Sequence, residues 1–383
     1  VIPGETSTGS KRADLLFGPG VTPRRMTRSA GCRIWDDRGR EYVDMVMALG
    51  AVALGYAHPD VVAAAERAVR DGTVGSLPPV HEARLAERLA EWVPGGEAVR
   101  FLKTGAEAVA AAVRIARVYT NRTRVITCGY QGWLDWCADN AGVPEAVRAL
   151  RVAVPFNDIE LFERALAAAP PPAAIVIEPV VECPPARDWL NALRAGADRA
   201  GAVLIFDEIK TGIRLGKGGA ARRYGGRPDL VVVGKALGNG FPIAAVVGPQ
   251  ALMDAATRTW ISSTLATEFT ALAAAEAVLA VCVREQVAGA LAETGSRWRR
   301  GLEGIASRHP AVATGVIGIP EMCSLTFRDE ETSAAIAVRT ADLGLLFKRS
   351  AYNFVSFAHD DAALDFALDR LETAVAEVAR HAD

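Results

Sequence analysis

One amine is the most informative chemical group in this sequence. Lys235 stands just past Leu230 to Val233, a short apolar run bounded by turn formers in LVVVGKALGNGFP, and that run reads as a buried strand. Such a strand delivers the Lys235 amine to the edge of a core. A desolvated lysine with a depressed pKa is a starting point for Schiff-base chemistry. The plain alternative for an isolated Gly-Lys pair is a solvated lysine in a loop. The chain holds six lysines, Lys11, Lys103, Lys210, Lys217, Lys235 and Lys348, so a step that needs a primary amine has few candidates.

Other groups match that amine in kind. The apolar run Val203 to Phe206 ends at Asp207-Glu208. Aldehyde chemistry on a pyridine ring needs a lysine to hold the ring, a carboxylate to keep its nitrogen protonated, a phosphate cradle, and an aromatic over its face. Asp207 supplies the carboxylate. An Asp-Glu pair after a strand can also bind Mg²⁺; no GxxxxGK[ST] loop precedes it, which makes a triphosphate site the weaker reading. In FLKTGAEAVAAAVRIAR, a short strand reaches Thr104-Gly105-Ala106 and an alanine-rich helix begins at about Glu107. Small residues at a helix start let N–H groups and the helix dipole meet an anion, although an ordinary strand-to-helix turn has the same composition. Tyr130, in CGYQGW, is flanked by glycines beyond a strand and can lie over a flat ring or anchor a loop.

The elements that must position these groups alternate. Strands are expected at Arg124 to Cys128, Ala174 to Ile177, Val203 to Phe206, Leu230 to Val233 and Ala244 to Val247, with helices near 158–168 and 191–200. That alternation implies an α/β fold with a mostly parallel sheet between helices, and ligands gather at the carboxyl ends of such strands. Thr104, Tyr130, Glu178, Asp207 and Lys235 all follow expected strands. Before this region, residues 1–27 read as an extended arm and Cys32 to Asp44 as a hairpin about Asp37-Arg38-Gly39. Helices are then expected from Asp60 to Arg70 and from His81 to Trp92. A long helix from Ala271 to about Val287 leads into a small α+β region. The expected division is an N-terminal arm and hairpin over 1–58 packing with the small domain, a large domain over 59–288, and the small domain over 289–383.

Composition narrows the partners. The 383 residues carry a formal charge of -2 and are half hydrophobic, which argues against nucleic acid or an anionic membrane as partner. No apolar run approaches the roughly 20 residues that a membrane span needs. VIPGETSTGSKRAD lacks the apolar core of a secretory signal, and the cytoplasm is the expected compartment. Six cysteines without CxxC spacing and five histidines without an HxxxH pair make a metal site or a disulfide framework an unexpected feature.

Together IFDEIKTGIR, VVVGKALGNGFP, FLKTGAEA and CGYQGW resemble the class III pyridoxal-phosphate aminotransferases, on the branch around glutamate-1-semialdehyde aminomutase. The resemblance runs from GCRIWDDRGREYVDMV to SFAHDDAALDFAL. It implies a fold-type I enzyme with a seven-stranded sheet, pyridoxal 5′-phosphate as cofactor, and a homodimer with shared active sites. Lys235 would form the internal aldimine and shuttle the proton. Asp207 would pair the ring nitrogen, Tyr130 and Ile209 would flank the ring, and Gly105 and Ala106 would hold the phosphate with Thr104 nearby. Thr264, in SSTLATE, matches a threonine that reaches the neighbouring subunit's phosphate; it could equally cap the next helix. Gln131 and Glu178 complete the expected cofactor set.

Several positions depart from the family pattern. Gln131 replaces a usual histidine, and Lys210 stands where many members have a glutamine near the cofactor's phenolic oxygen. Leu49 replaces a tryptophan of the aminomutase substrate pocket. Arg12 roughly matches an arginine that binds substrate carboxylate, and could instead be a solvated arm residue; Arg12 and Leu49 are the substrate candidates. The leading expectation is ping-pong transfer from an amino donor to a keto or aldehyde acceptor. An intramolecular aminomutase and a racemase or epimerase are the alternatives, since all begin with proton removal by Lys235. A non-catalytic relative would not need Lys235 and Asp207 intact.

Overall fold

The computed structural model describes residues 1–380 and divides into two compact units, one of Val1–Pro59 with Gln286 onward and one of Asp60–Glu285. The second unit is built on seven strands. In chain order they are β1 (Ala98–Leu102), β2 (Val125–Cys128), β3 (Arg151–Ala153), β4 (Ala174–Ile177), β5 (Val203–Asp207), β6 (Leu230–Val233) and β7 (Ala244–Gly248). Their order across the sheet is β1-β7-β6-β5-β4-β2-β3, and only β7 runs against its neighbours. The ends of β2, β4, β5 and β6 therefore share one edge, and β1, two antiparallel steps from β6, ends there too.

Continuous apolar runs suit a sheet covered on both faces, because successive side chains point to opposite sides. Val125, Val176, Ile205, Val232 and Val246 pack on one face against Val109, Ala112 and Val113 of helix α1 (Gly105–Thr120). Ile126, Ile175, Ile177, Leu204 and Phe206 turn the other way, onto Phe162, Trp189 and Leu193. Burying side chains of this size contributes about 1.5–3 kcal/mol each. The strand positions beneath the candidate residues are thus fixed from both sides.

Helix limits follow local caps. The sequence reading begins α1 near Glu107; the helix begins two residues earlier. Thr104 Oγ1 accepts the Glu107 N–H (3.2 Å) while the Glu107 carboxylate accepts the Thr104 N–H (2.9 Å), a reciprocal capping box. The expected helix at 191–200 starts at Arg187, and the long helix expected from Ala271 to about Val287 spans Phe269–Arg284; a second helix, Val287–Arg308, follows Gln286, which is in the left-handed region. No described helix is long and apolar enough to cross a membrane.

In the other unit the expected hairpin forms from Arg33–Asp36 and Glu41–Asp44. Its four-stranded sheet also includes Met26–Ala30, which begins at the end of the stretch read as an arm, and Leu345–Leu346, parallel to Glu41–Asp44. A second sheet joins Ala313–Ile319, Met322–Phe327 and Asn353–Phe354.

Candidate active site

Lys235 lies two residues beyond β6. The chain turns there with Lys235 itself at φ +44°, a left-handed conformation that non-glycine residues adopt at a cost on the order of 1–3 kcal/mol. Its side chain is half-buried, and Nζ makes no hydrogen bond or ion pair among the described residues. Burial, helped by the positive charge of Lys210, lowers its pKa to about 8.

Asp207 ends β5 and is buried, with Oδ1 accepting the Ile209 N–H at 3.1 Å. Burial, reinforced by the negative charge of Glu178, pushes its pKa up to about 8. The adjacent Glu208 faces elsewhere. Its Oε2 accepts the Ala220 N–H and the Thr211 hydroxyl, each at 2.7 Å, and its Oε1 accepts the Ala221 N–H at 2.8 Å. Glu208 is thus consumed in tying the short helix Gly219–Tyr224 to the sheet. The two neighbours cannot act as a carboxylate pair, which removes the Mg²⁺ alternative for Asp207-Glu208. Among the described residues no group of three or more acidic, histidine or cysteine side chains is placed to hold a metal.

Lys235 and Asp207 open on one cavity of about 220 Å³, also lined by Gly105, Ala106, Tyr130, Gln131, Gly132, Trp133, Glu178, Ile209 and Lys210. Gly105 and Ala106 open α1, where the first N–H groups of any helix lack an intrahelical acceptor. A Cβ on Gly105 would sit 2.5 Å from Ile209 Cδ1, so a larger residue here would require the Ile209 side chain to move. Glu178, directly after β4, accepts Lys210 Nζ on Oε1 (2.8 Å) and the Tyr130 N–H on Oε2 (2.8 Å). Gly129, at φ +87°, gives the turn after β2 the closeness that contact requires. Gln131 is buried, its Nε2 donating to the Cys128 carbonyl at 2.7 Å. Tyr130 and Trp133 stay largely exposed at the cavity wall.

Four expected residues are not part of this lining. The exposed Thr104 spends its hydroxyl on the capping box. Thr264 is exposed in the turn before Phe269–Arg284, and it is not that helix's cap: Glu268 accepts the Thr270 and Ala271 N–H groups instead. Arg12 and Leu49 belong to the other unit. Arg12 pairs with Asp14, and Leu49, at φ +59°, packs beside an apolar cluster that includes Tyr42 and Val46. Trp133 was not among the expected site residues, although its place three residues after Tyr130 in the same glycine-rich loop was a usable signal. The engagement of Lys210 by Glu178, far apart in sequence, left no such signal.

The cavity's donor set fits pyridoxal phosphate. It offers an amine of lowered pKa, a buried carboxylate with one oxygen engaged, and uncapped N–H groups at a helix start. Comparison with known proteins agrees. The model of the class-III aminotransferases matches residues 17–375. A glutamate-1-semialdehyde 2,1-aminomutase of Gemmatimonas aurantiaca is 33% identical, covering 94% of this chain and 90% of its own. A 3-aminobutyryl-CoA aminotransferase of Cloacimonas acidaminovorans is 29% identical over 99% of this chain and 94% of its own. The FumI protein of Sphingopyxis sp. MTA144, solved in a PLP internal aldimine form, superposes with a TM-score of 0.93 at 26% identity, covering 99% of this chain and 94% of that one.

Proposed function

This chain belongs to the class-III aminotransferase family and is a pyridoxal-phosphate-dependent enzyme, and on that premise we propose that Lys235 and Asp207 carry its amino transfer. The observation that supports the assignment most is their convergence on one cavity with opposite electrostatic adjustment. Burial makes the Lys235 amine easier to deprotonate and the Asp207 carboxyl harder to ionise without a cationic partner.

When bound, the cofactor supplies an aldehyde that captures amines and a ring that withdraws electrons from the captured carbon. The chain's own groups do the rest. Lys235 Nζ, unprotonated in useful amount near neutral pH, would be the amine that holds the cofactor. The same Nζ would take up the proton from the substrate carbon and give it back. Asp207 would pair the cofactor's ring nitrogen and favour its protonated form. The Gly105 and Ala106 N–H groups and the α1 dipole bind the phosphate dianion. Tyr130, tethered through its N–H to Glu178, and Ile209 would flank the flat ring. Thr264, exposed on its loop, would reach the phosphate of a second copy in the homodimer we take as the working form; Arg12 and Leu49 remain the candidates for substrate contact.

Turnover is ping-pong transfer from an amino donor to a keto or aldehyde acceptor. The relatives give a second reading some weight, since one similar protein is a mutase that keeps the amino group within one substrate. Incubating the loaded protein with excess amino donor and no acceptor separates them. A stoichiometric burst of keto product supports transfer. Single-substrate turnover with no free keto product would replace transfer by the mutase.

A further inference from the structure

The cavity holds two primary amines, Lys235 and Lys210, and both stand beyond carboxyl ends of central strands. Chemistry that captures an aldehyde must select between them. The structure distinguishes them by partner. Lys210 Nζ lies 2.8 Å from Glu178 Oε1, in a pair whose side chains are 14% and 7% exposed, whereas Lys235 Nζ has neither a hydrogen bond nor an ion pair among the described residues. The other oxygen of Glu178 is held by the Tyr130 N–H, so the carboxylate cannot swing away from Lys210 without releasing that loop.

We propose that Glu178 is a positioning residue that selects the reactive amine, pairing Lys210 as an ammonium and leaving Lys235 as the group that condenses with the cofactor's aldehyde. This deepens the function proposed above and rests on it. Condensation requires a lone pair on nitrogen: the amine adds to the aldehyde carbon, a C–N bond forms, and water leaves with the carbonyl oxygen. An ammonium held against a carboxylate has no lone pair to give. The Lys210 charge also acts on its rival, because a second cation in the cavity favours the unprotonated form of Lys235, in the same direction as burial. Glu178 and Asp207 act on Lys235 in the opposite sense, favouring its charged form, while Arg214 disfavours it. The selection therefore works through the contact of Glu178 with Lys210, which holds that amine as an ammonium and keeps its charge in the cavity.

Removing the charge of Glu178 while keeping its shape should undo the selection, because a buried lysine without its counter-ion goes over to the neutral amine. The test is to load wild-type, E178Q, K210M and E178Q/K210M proteins with pyridoxal phosphate, reduce with borohydride, digest, and locate the modified lysine by mass spectrometry. The expected result is modification at Lys235 alone in the wild type and in K210M. In E178Q at least a tenfold rise in modification at Lys210 is expected, and the double variant returns the label to Lys235. Label confined to Lys235 in E178Q at wild-type yield overturns the selection while leaving the proposed function intact. Label at Lys210 in the wild type, or on neither lysine, overturns the function reading and the selection with it. Should E178Q fail to fold, K210M decides on its own. Its pH midpoint for aldehyde capture at Lys235 should rise as the neighbouring charge is lost, and an unmoved midpoint overturns the proposal.

Discussion

Replacing Asp207 by asparagine should stabilise the cofactor-free protein while it removes function, and the effect should grow with pH. Asp207 is 4% exposed, and its pKa rises from 3.8 to about 8 on folding. The native state therefore holds the proton more tightly than the unfolded chain does. Between pH 4 and 8 the unfolded chain binds fewer protons, so this group's contribution to stability falls as pH rises through that window. At 1.36 kcal/mol per pKa unit, the ionisation penalty is below about 2 kcal/mol near pH 5 and about 4 kcal/mol near pH 7. D207N has no such penalty, although the asparagine amide must be accommodated in the same buried place. That fixed cost cancels when the wild-type-to-variant gap is compared at two pH values. The assay is denaturant unfolding of both apoproteins near pH 5 and pH 7. The variant's advantage should widen by roughly 2–3 kcal/mol across that interval. Saturating pyridoxal phosphate should then favour the wild type, because a ligand that binds only the native state stabilises by mass action. A gap that does not change with pH would refute the claim that Asp207 is held in place against its own desolvation.

Three other perturbations have calculable outcomes. E208Q should destabilise by about 2–4 kcal/mol, since an amide offers one acceptor where the carboxylate serves three donors, yet the protein should still take up the cofactor; a variant as stable as wild type in denaturant would contradict the structural role. G129A places a Cβ at 2.6 Å from Glu178 Oε2 at φ +87°, and should cost about 1–3 kcal/mol and weaken cofactor affinity together, read from unfolding and from an absorbance titration. Aldehyde capture at Lys235 should accelerate about tenfold per pH unit below about pH 8 and level off above it, because only the unprotonated amine reacts; stopped-flow absorbance with pyridoxal phosphate would record the profile, and a midpoint near the ordinary lysine value would contradict the lowered pKa.

The central sheet was legible because its strands are continuous apolar runs that end in turn formers. Ala174–Ile177 and Leu230–Val233 form with the limits their sequences suggest, and the residues that follow them reach one edge because parallel strands share a direction. What was not legible depended on partners distant in the chain. Nothing in the dipeptide Asp207-Glu208 says that one carboxylate faces the cavity while the other caps Gly219–Tyr224. Lys210 could be flagged as unusual, but its engagement by Glu178 depends on the juxtaposition of β4 and β5. The early start of α1 is a different case: Thr104-x-x-Glu107 is a local capping signal, and a cap reading would have placed the helix correctly.

The most direct test of the account compares absorbance spectra of purified wild-type and K235A proteins titrated with pyridoxal phosphate and then with excess amino donor. The wild type should show the yellow band of a lysine-bound cofactor, the donor should bleach it, and keto product should appear in equal amount. K235A should lack the lysine-bound band and show no catalytic turnover. A K235A protein that binds, bleaches and turns over as the wild type does would contradict the assignment of Lys235 and the mechanism built on it.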